Sequence, residues 1–171
     1  MELRADIHFA FPPQVVFLAF RDDMAKLLPY LPSVSSIEIA SRKQNGPLVE
    51  NVIEWRGGGG IPGPLRAVVA GSVLSWTDYA TWNADELCCD WRTETHAFTE
   101  AVRCGAHDRF LEDGPGKTLL EIRGTLEVDG KKLPGVPALI AVRVGRAMEE
   151  FLVGKIRSTA RGLERYLHER A

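Results

Sequence analysis

One lysine stands among apolar residues on the amphipathic stretch 136–167, which the spacing predicts to be a long helix. Ile140, Val144, Met148, Phe151, Leu152, Ile156, Thr159, Leu163 and Tyr166 recur at helical intervals and share one face at ~100° per residue. Arg143, Arg146, Glu150, Arg157, Arg161, Glu164 and Arg165 take the opposite face. Lys155 falls within the apolar arc, between Met148 and Phe151. Its chemistry has two forms. The methylenes can lie on apolar surface while the ammonium reaches water. Alternatively, the ammonium faces a cavity and pairs with an acidic ligand head, with Val144, Met148 and Phe151 as the apolar wall beside it. Unpaired burial is costly, so the second form needs a ligand, water or carboxylate partner.

Other chemistry-bearing residues lie in segments that read as strands. His96, His107 and Arg109 are polar anchors if they face inward and ordinary surface residues if they face out. Asn51 alternates with Val49, Ile53 and Trp55, so it is either an inward polar group or part of an outward row beside Glu50 and Glu54. No H-x-x-x-H spacing brings histidines together, so neither a metal nor a cofactor is expected. Trp55, Trp76, Trp82 and Trp91 sit on or beside strands without a basic stripe. Core or cavity wall suits them better than a nucleic-acid stacking platform. Cys88 and Cys89 cannot share a strand face, which predicts one buried thiol and one on the solvent side. Gly57-Gly58-Gly59-Gly60 lacks the lysine-hydroxyl ending of a phosphate loop and is followed by prolines. It reads as a flexible loop and a candidate lid. There is no G-x-S-x-G, no P-loop and no nucleophile-base-orienter set.

Composition narrows the partners. With 171 residues and 45% hydrophobic content, the chain can bury a sizeable core as one domain, residues 1–171. A net charge of −2 gives no global field for nucleic acid. No apolar run reaches the ~18 residues of a membrane span, so any membrane contact is transient. The opening Met1-Glu2-Leu3-Arg4 has no signal-peptide pattern, and three cysteines make no disulfide framework. A cytoplasmic location is expected.

The positioning elements follow from periodicity. Residues 2–10 alternate as a half-buried strand, and 14–20 and 22–28 read as short helices, the second with Asp22 as N-cap. Strands are predicted at 34–42, 48–56, 65–76, 87–97, 100–112 (with a bulge at Gly105) and 120–128. The order is strand, two short helices, six strands, long helix: an α+β chain in which a curved antiparallel sheet of about seven strands wraps around the C-terminal helix. In such a meander, turns 43–47, 83–86 and 113–117 share one end. The looser segments 29–33, 57–64, 98–101 and 130–137 share the other.

This order resembles the helix-grip fold of the START-like superfamily (SRPBCC), which includes the birch pollen allergen family, polyketide cyclases and lipid-transfer domains. The likeness spans the whole chain. It is carried by Phe11-Pro12-Pro13-Gln14-Val15-Val16-Phe17 after the first strand, and by Met148-Glu149-Glu150-Phe151-Leu152-Val153-Gly154-Lys155 in the last helix. The resemblance implies a hydrophobic cavity between sheet and helix, entered at the looser end, and no single chemistry. The expected function is binding or transport of a hydrophobic or amphipathic small molecule, an acidic lipid among the candidates. The expected ligand-binding residues are Lys155, Met148, Phe151, Val144, Trp91, Asn51, His96 and Arg109. A polyketide cyclase or aromatase-like enzyme and a protein-interaction module are the alternatives.

Overall fold

The computed structural model describes residues 1–59, 63, 65–66 and 74–171. Those residues form seven strands: β1 Glu2–Phe9, β2 Val34–Asn45, β3 Leu48–Gly57, β4 Ser75–Asn83, β5 Cys88–Thr95, β6 Val102–Glu112 and β7 Thr118–Val128. They make one antiparallel sheet in the order β1-β7-β6-β5-β4-β3-β2. Consecutive strands from β2 to β7 are neighbours, and the first strand joins the last. Period-two alternation sets the faces: Leu3, Ala5 and Phe9 are buried while Glu2, Arg4 and Asp6 are exposed. The β2–β3 hairpin pairs Asn45 with Leu48 and leaves Gly46 in the turn at φ 57°, a left-handed angle that glycine adopts at little cost.

The β6–β7 pair leaves no room for a side chain at Gly124. A Cβ on Gly124 would lie 2.1 Å from the Gly105 carbonyl oxygen and 2.5 Å from Ala106 Cα. The expected bulge at Gly105 is not there, because the β6–β7 register runs unbroken through Gly105↔Thr125. Backbone proximity between the two glycines replaces it. Register shifts lie instead in β2, at Val34/Ser36 and Ile39/Ser41.

Helix α1 spans Pro13–Asp22, with proline in its first turn where the missing N–H costs nothing. It buries Val16, Phe17, Ala19 and Phe20, and the Phe17 ring meets Trp82 and Phe110 edge-on at 5.4 Å each. The second short helix is a 3₁₀ segment, Met24–Tyr30, and Asp22 does not cap it. Asp22 ends α1 instead and pairs with Arg21 and Arg42. The expected strand at 65–76 is also corrected. Leu65 and Arg66 are helical, β4 begins only at Ser75, and residues 67–73 lie outside the described residues. Of the candidate lid, Gly57 closes β3, Gly58 and Gly59 follow it, and Gly60 lies outside the described residues.

The long helix α2 spans Ala141–Arg170, preceded by a 3₁₀ turn at Ala138–Ile140. Pro137 fixes extended backbone ahead of that turn, so the helix starts later than its apolar pattern suggests. Two tight contacts seat it. A Cβ on Gly145 would come within 2.8 Å of the Val128 carbonyl oxygen, and one on Gly162 within 2.8 Å of Leu31 Cδ2. The C-terminal end is further tied by Tyr166, whose hydroxyl donates to Asp23 at 2.9 Å, and by Tyr30, which donates to Glu169 at 2.5 Å. Near the two ends Met148 and Leu163 are 2% and 0% exposed, yet Phe151, Leu152 and Ile156 between them are only half-buried. The helix is therefore seated at both ends and stands clear of the sheet in the middle.

Glycine substitutions in α2 should separate seating from helix propensity. Gly154→Ala meets open space and should stabilise the protein by about 0.5–1 kcal/mol. Gly145→Ala gains the same propensity but collides with backbone, and should destabilise by about 1–3 kcal/mol. Urea unfolding of the two variants checks the opposite signs.

Candidate functional site

Beneath the raised middle of α2 lies a cavity of about 170 Å³. Strand alternation builds its floor. Trp76, Asp78, Ala80 and Trp82 point inward from β4, and Cys89, Trp91, Thr93 and Thr95 from β5. Ile53 and Trp55 come from β3, Cys104 and Asp108 from β6. The roof is one side of α2, including Phe151, Lys155 and Thr159. All four tryptophans line it, and the Trp55 and Trp76 rings stack at 5.6 Å with planes 10° apart.

The expected site residues divide. Lys155, Phe151 and Trp91 line the cavity. Lys155 Nζ donates a long hydrogen bond to the Ser33 carbonyl at 3.4 Å and sits 4.9 Å from the Phe151 ring centre. Burial lowers its pKa from the usual lysine value. Val144 and Met148 are buried where α2 packs on the rest of the molecule, away from the cavity wall. Asn51 faces inward and is buried, but its amide is committed to the Arg21 carbonyl at 2.9 Å. His96 lies at a separate groove, with its ring between the Ser75 and Thr77 hydroxyls at 2.9 and 2.7 Å. Arg109 is on the outer face, where it pairs with Glu121. Position on the strand separates these residues: Arg109 and His107 have the outward parity, and the residue between them points in.

That residue is Asp108, and with Asp78 it was not among the expected ones. Each shares a strand face with large apolar residues, Asp108 with Phe110 and Asp78 with Trp76 and Trp82. Burial pushes the Asp78 carboxyl up to about 6. The Thr93 hydroxyl, which donates to it at 2.5 Å, and the neighbouring Trp76 and Trp55 indoles hold it lower than burial alone would. Trp55 is a weak contributor, because its Nε1 is buried without a well-formed hydrogen bond. Burial pushes Asp108 further, to about 7, opposed only in part by the Trp91 indole and by His107. Its Oδ1 is sealed off and has no hydrogen-bond partner among the described residues. Three more buried polar atoms of the wall share that condition: Trp55 Nε1, Trp82 Nε1 and Thr95 Oγ1.

The thiols make poor nucleophiles. Burial raises Cys104 to about 12 and Cys89 well above the ordinary thiol value, so both serve as apolar wall. Cys88 is also buried, with its Sγ 3.6 Å from Glu86, so neither thiol of the pair takes the solvent side that one of them was expected to take. Among the described residues no cluster of His, Cys, Asp or Glu could hold a metal, and no helix is long and apolar enough to cross a membrane.

No protein-family model and no curated protein matches the chain. Solved structures do. TTHA0849 from Thermus thermophilus is 21% identical, with a TM-score of 0.68 over 100% of this chain and 99% of that one. Zhui aromatase/cyclase from Streptomyces sp. R1128 is 13% identical, with a TM-score of 0.71 over 99% and 94%. A START superfamily protein from Mycobacterium smegmatis is 15% identical, with a TM-score of 0.59 over 99% of both chains. Identities this low carry the architecture and nothing finer. The chain has the helix-grip fold, a seven-stranded antiparallel sheet gripping a long C-terminal helix, which is the architecture of these structures.

Proposed function

We propose that this protein binds a compact hydrophobic or amphipathic small molecule in the cavity beneath α2. The observation that carries the proposal is the tryptophan-lined gap itself. A helix with an apolar face stands off the sheet in its middle, which leaves Phe151, Leu152 and Ile156 half-buried where collapse would have covered them. A protein-interaction module gains nothing from such a gap. The volume also selects among ligands. About 170 Å³ is below the ~300–1,000 Å³ of drug-sized pockets, which favours one or two rings over a long-chain lipid. An acidic headgroup has Lys155 in its favour and two wall carboxyls against it.

Those carboxyls favour catalysis as a second reading. Groups that titrate near neutrality inside an apolar site can exchange protons with a bound molecule. Zhui, which has this architecture, is named an aromatase/cyclase. In that role Asp78 and Asp108 would move protons while the tryptophan walls hold a flexible substrate in a reactive shape.

Filling the cavity tests binding directly. Ala80 sits on its floor, so Ala80→Phe should reduce the affinity for a neutral two-ring probe, 1-naphthalenemethanol, by about tenfold or more while the fold is kept. Calorimetric titration of both proteins, with native mass spectrometry of the purified protein for a retained molecule, provides the measurement. Equal affinities would count against this site.

The carboxyls should also mark the pH dependence of stability. Their folded pKa values, about 6 and about 7, lie above the ordinary 3.8. The folded state therefore keeps protons that the unfolded chain has released, and stability falls as pH rises from about 4 to about 7. The double variant Asp78→Asn/Asp108→Asn should lack this decline. Its advantage over the wild type should grow from about pH 4.5 to about pH 8, reaching a few kcal/mol. Thermal unfolding across that range checks it, and a gap that stays constant would contradict the ionisation described here.

A further inference from the structure

We propose that the cavity is built for a basic nitrogen: it takes a small aromatic amine, with the ammonium on the carboxyl of Asp108 and the ring among the tryptophans. This rests on the ligand-binding reading above and names the class of ligand.

The first reason is an undercompensated acid. Asp108 lines the cavity, and its Oδ1 is closed off without a hydrogen-bond partner among the described residues. The Trp91 indole beside the carboxyl is a neutral donor and offsets burial only in part. A buried carboxyl in that state either keeps its proton or acquires a cation. The described residues of the cavity wall do not supply that cation. Lys155 shares the cavity, but its contacts are the Ser33 carbonyl and the Phe151 ring, and burial alone accounts for its shift. His107, next along β6, is engaged by Asp90 at 2.8 Å on the outer face.

The second reason is the surroundings. Across the sheet Asp108 pairs with Cys89 on β5 and Ile122 on β7, neither of which brings charge at neutral pH. Cys89 pairs in turn with Trp82, and Trp91 lies two residues further along β5. Both indoles line the cavity with the acid. From α1 the cavity receives Phe20, from α2 only Lys155 among its charged residues, and from β4 the second acid, Asp78. An ammonium held there has a carboxylate for its charge and π-faces for its flanks. A neutral ligand leaves the acid protonated, and an anionic one meets two carboxyls.

The third reason is the proton balance. Below neutral pH, Asp108 must release its proton to solvent to accept an already protonated amine. Affinity for an amine should therefore rise with pH, whereas affinity for a neutral analogue should not.

Three probes of one shape test this by calorimetry: 1-naphthylmethylamine, 1-naphthalenemethanol and 1-naphthoate, each at about pH 5.5 and about pH 8, on either side of the carboxyl's titration. At the higher pH the amine should bind at least about tenfold tighter than the alcohol, and the naphthoate weakest. The advantage of the amine should shrink at least several-fold at the lower pH. Asp108→Asn should bring the amine down to the level of the alcohol while alcohol binding persists, which also reports that the variant is folded. Asp78→Asn, at a carboxyl that already accepts from the Thr93 hydroxyl, should weaken the preference less than Asp108→Asn does. Amine and alcohol binding equally well, or naphthoate binding tightest, would overturn amine recognition while leaving the ligand-binding reading intact. Loss of preference in Asp78→Asn but not in Asp108→Asn would overturn the assignment to Asp108. If no probe binds, including the neutral one, the ligand-binding reading fails and amine recognition fails with it.

Discussion

The height at which α2 rides over the sheet is fixed by two glycines. At Gly145 the helix comes down onto the backbone at Val128, and at Gly162 onto Leu31. A methyl group at Gly145 would meet backbone, and one at Gly162 would push on the end of the Leu31 side chain. Between them the helix runs on while the sheet curves away, and a rigid cylinder spanning a curved floor must leave space under its middle. The cavity is thus a geometric consequence of where the small residues fall. On the sheet, a side chain at Gly124 would collide with Gly105 and Ala106, while the β6–β7 register runs on unbroken.

Holding that space open costs stability. Apolar side chains over the gap remain half-buried, and four polar atoms of its wall lack partners among the described residues. Each such group forfeits a hydrogen bond it would have in water, at about 1–3 kcal/mol apiece where burial is complete. The ends of the molecule offset this. Phe17 packs edge-on against Trp82 and Phe110, and Tyr166 and Tyr30 bind the C-terminal turn of α2 to the 3₁₀ segment Met24–Tyr30 and to Asp23 before it. Trp82 belongs to both, packed against Phe17 on one side and lining the cavity on the other.

The architecture was legible in the sequence because it rests on periodicity. Strands with clean alternation, such as Thr118–Val128, and tight polar turns, such as the one capped by Asn83, declare themselves without tertiary information. The start of the predicted strand at Leu65 did not, because an apolar run follows it in the sequence while Leu65 and Arg66 are themselves helical. Within the site, Lys155 and Trp91 were recognisable because a cation on an apolar helix face and an aromatic on a strand are conspicuous by type. Asp78 and Asp108 were hidden by the converse rule, that an acid on a strand faces water. Parity was the available signal. Asp108 follows Cys104 and precedes Phe110 in the inward register, and the histidine and arginine on either side drew attention because of their chemistry while pointing the wrong way.

The placement of charge within the cavity follows from the same register. A lysine on the roof has a long methylene chain with which to reach toward a backbone carbonyl at Ser33, so its charge finds partial relief at the margin of the site. An aspartate on the floor has a single methylene and cannot leave. Its options are a neighbour's donor, a proton or a ligand. Asp78 has the first at close range, from the Thr93 hydroxyl. Asp108 has the Trp91 indole and one oxygen without a partner among the described residues, so burial raises its carboxyl with little to oppose it. A short acid on a rigid strand, facing an apolar space with one oxygen sealed, is the arrangement in which occupancy and proton affinity become a single equilibrium.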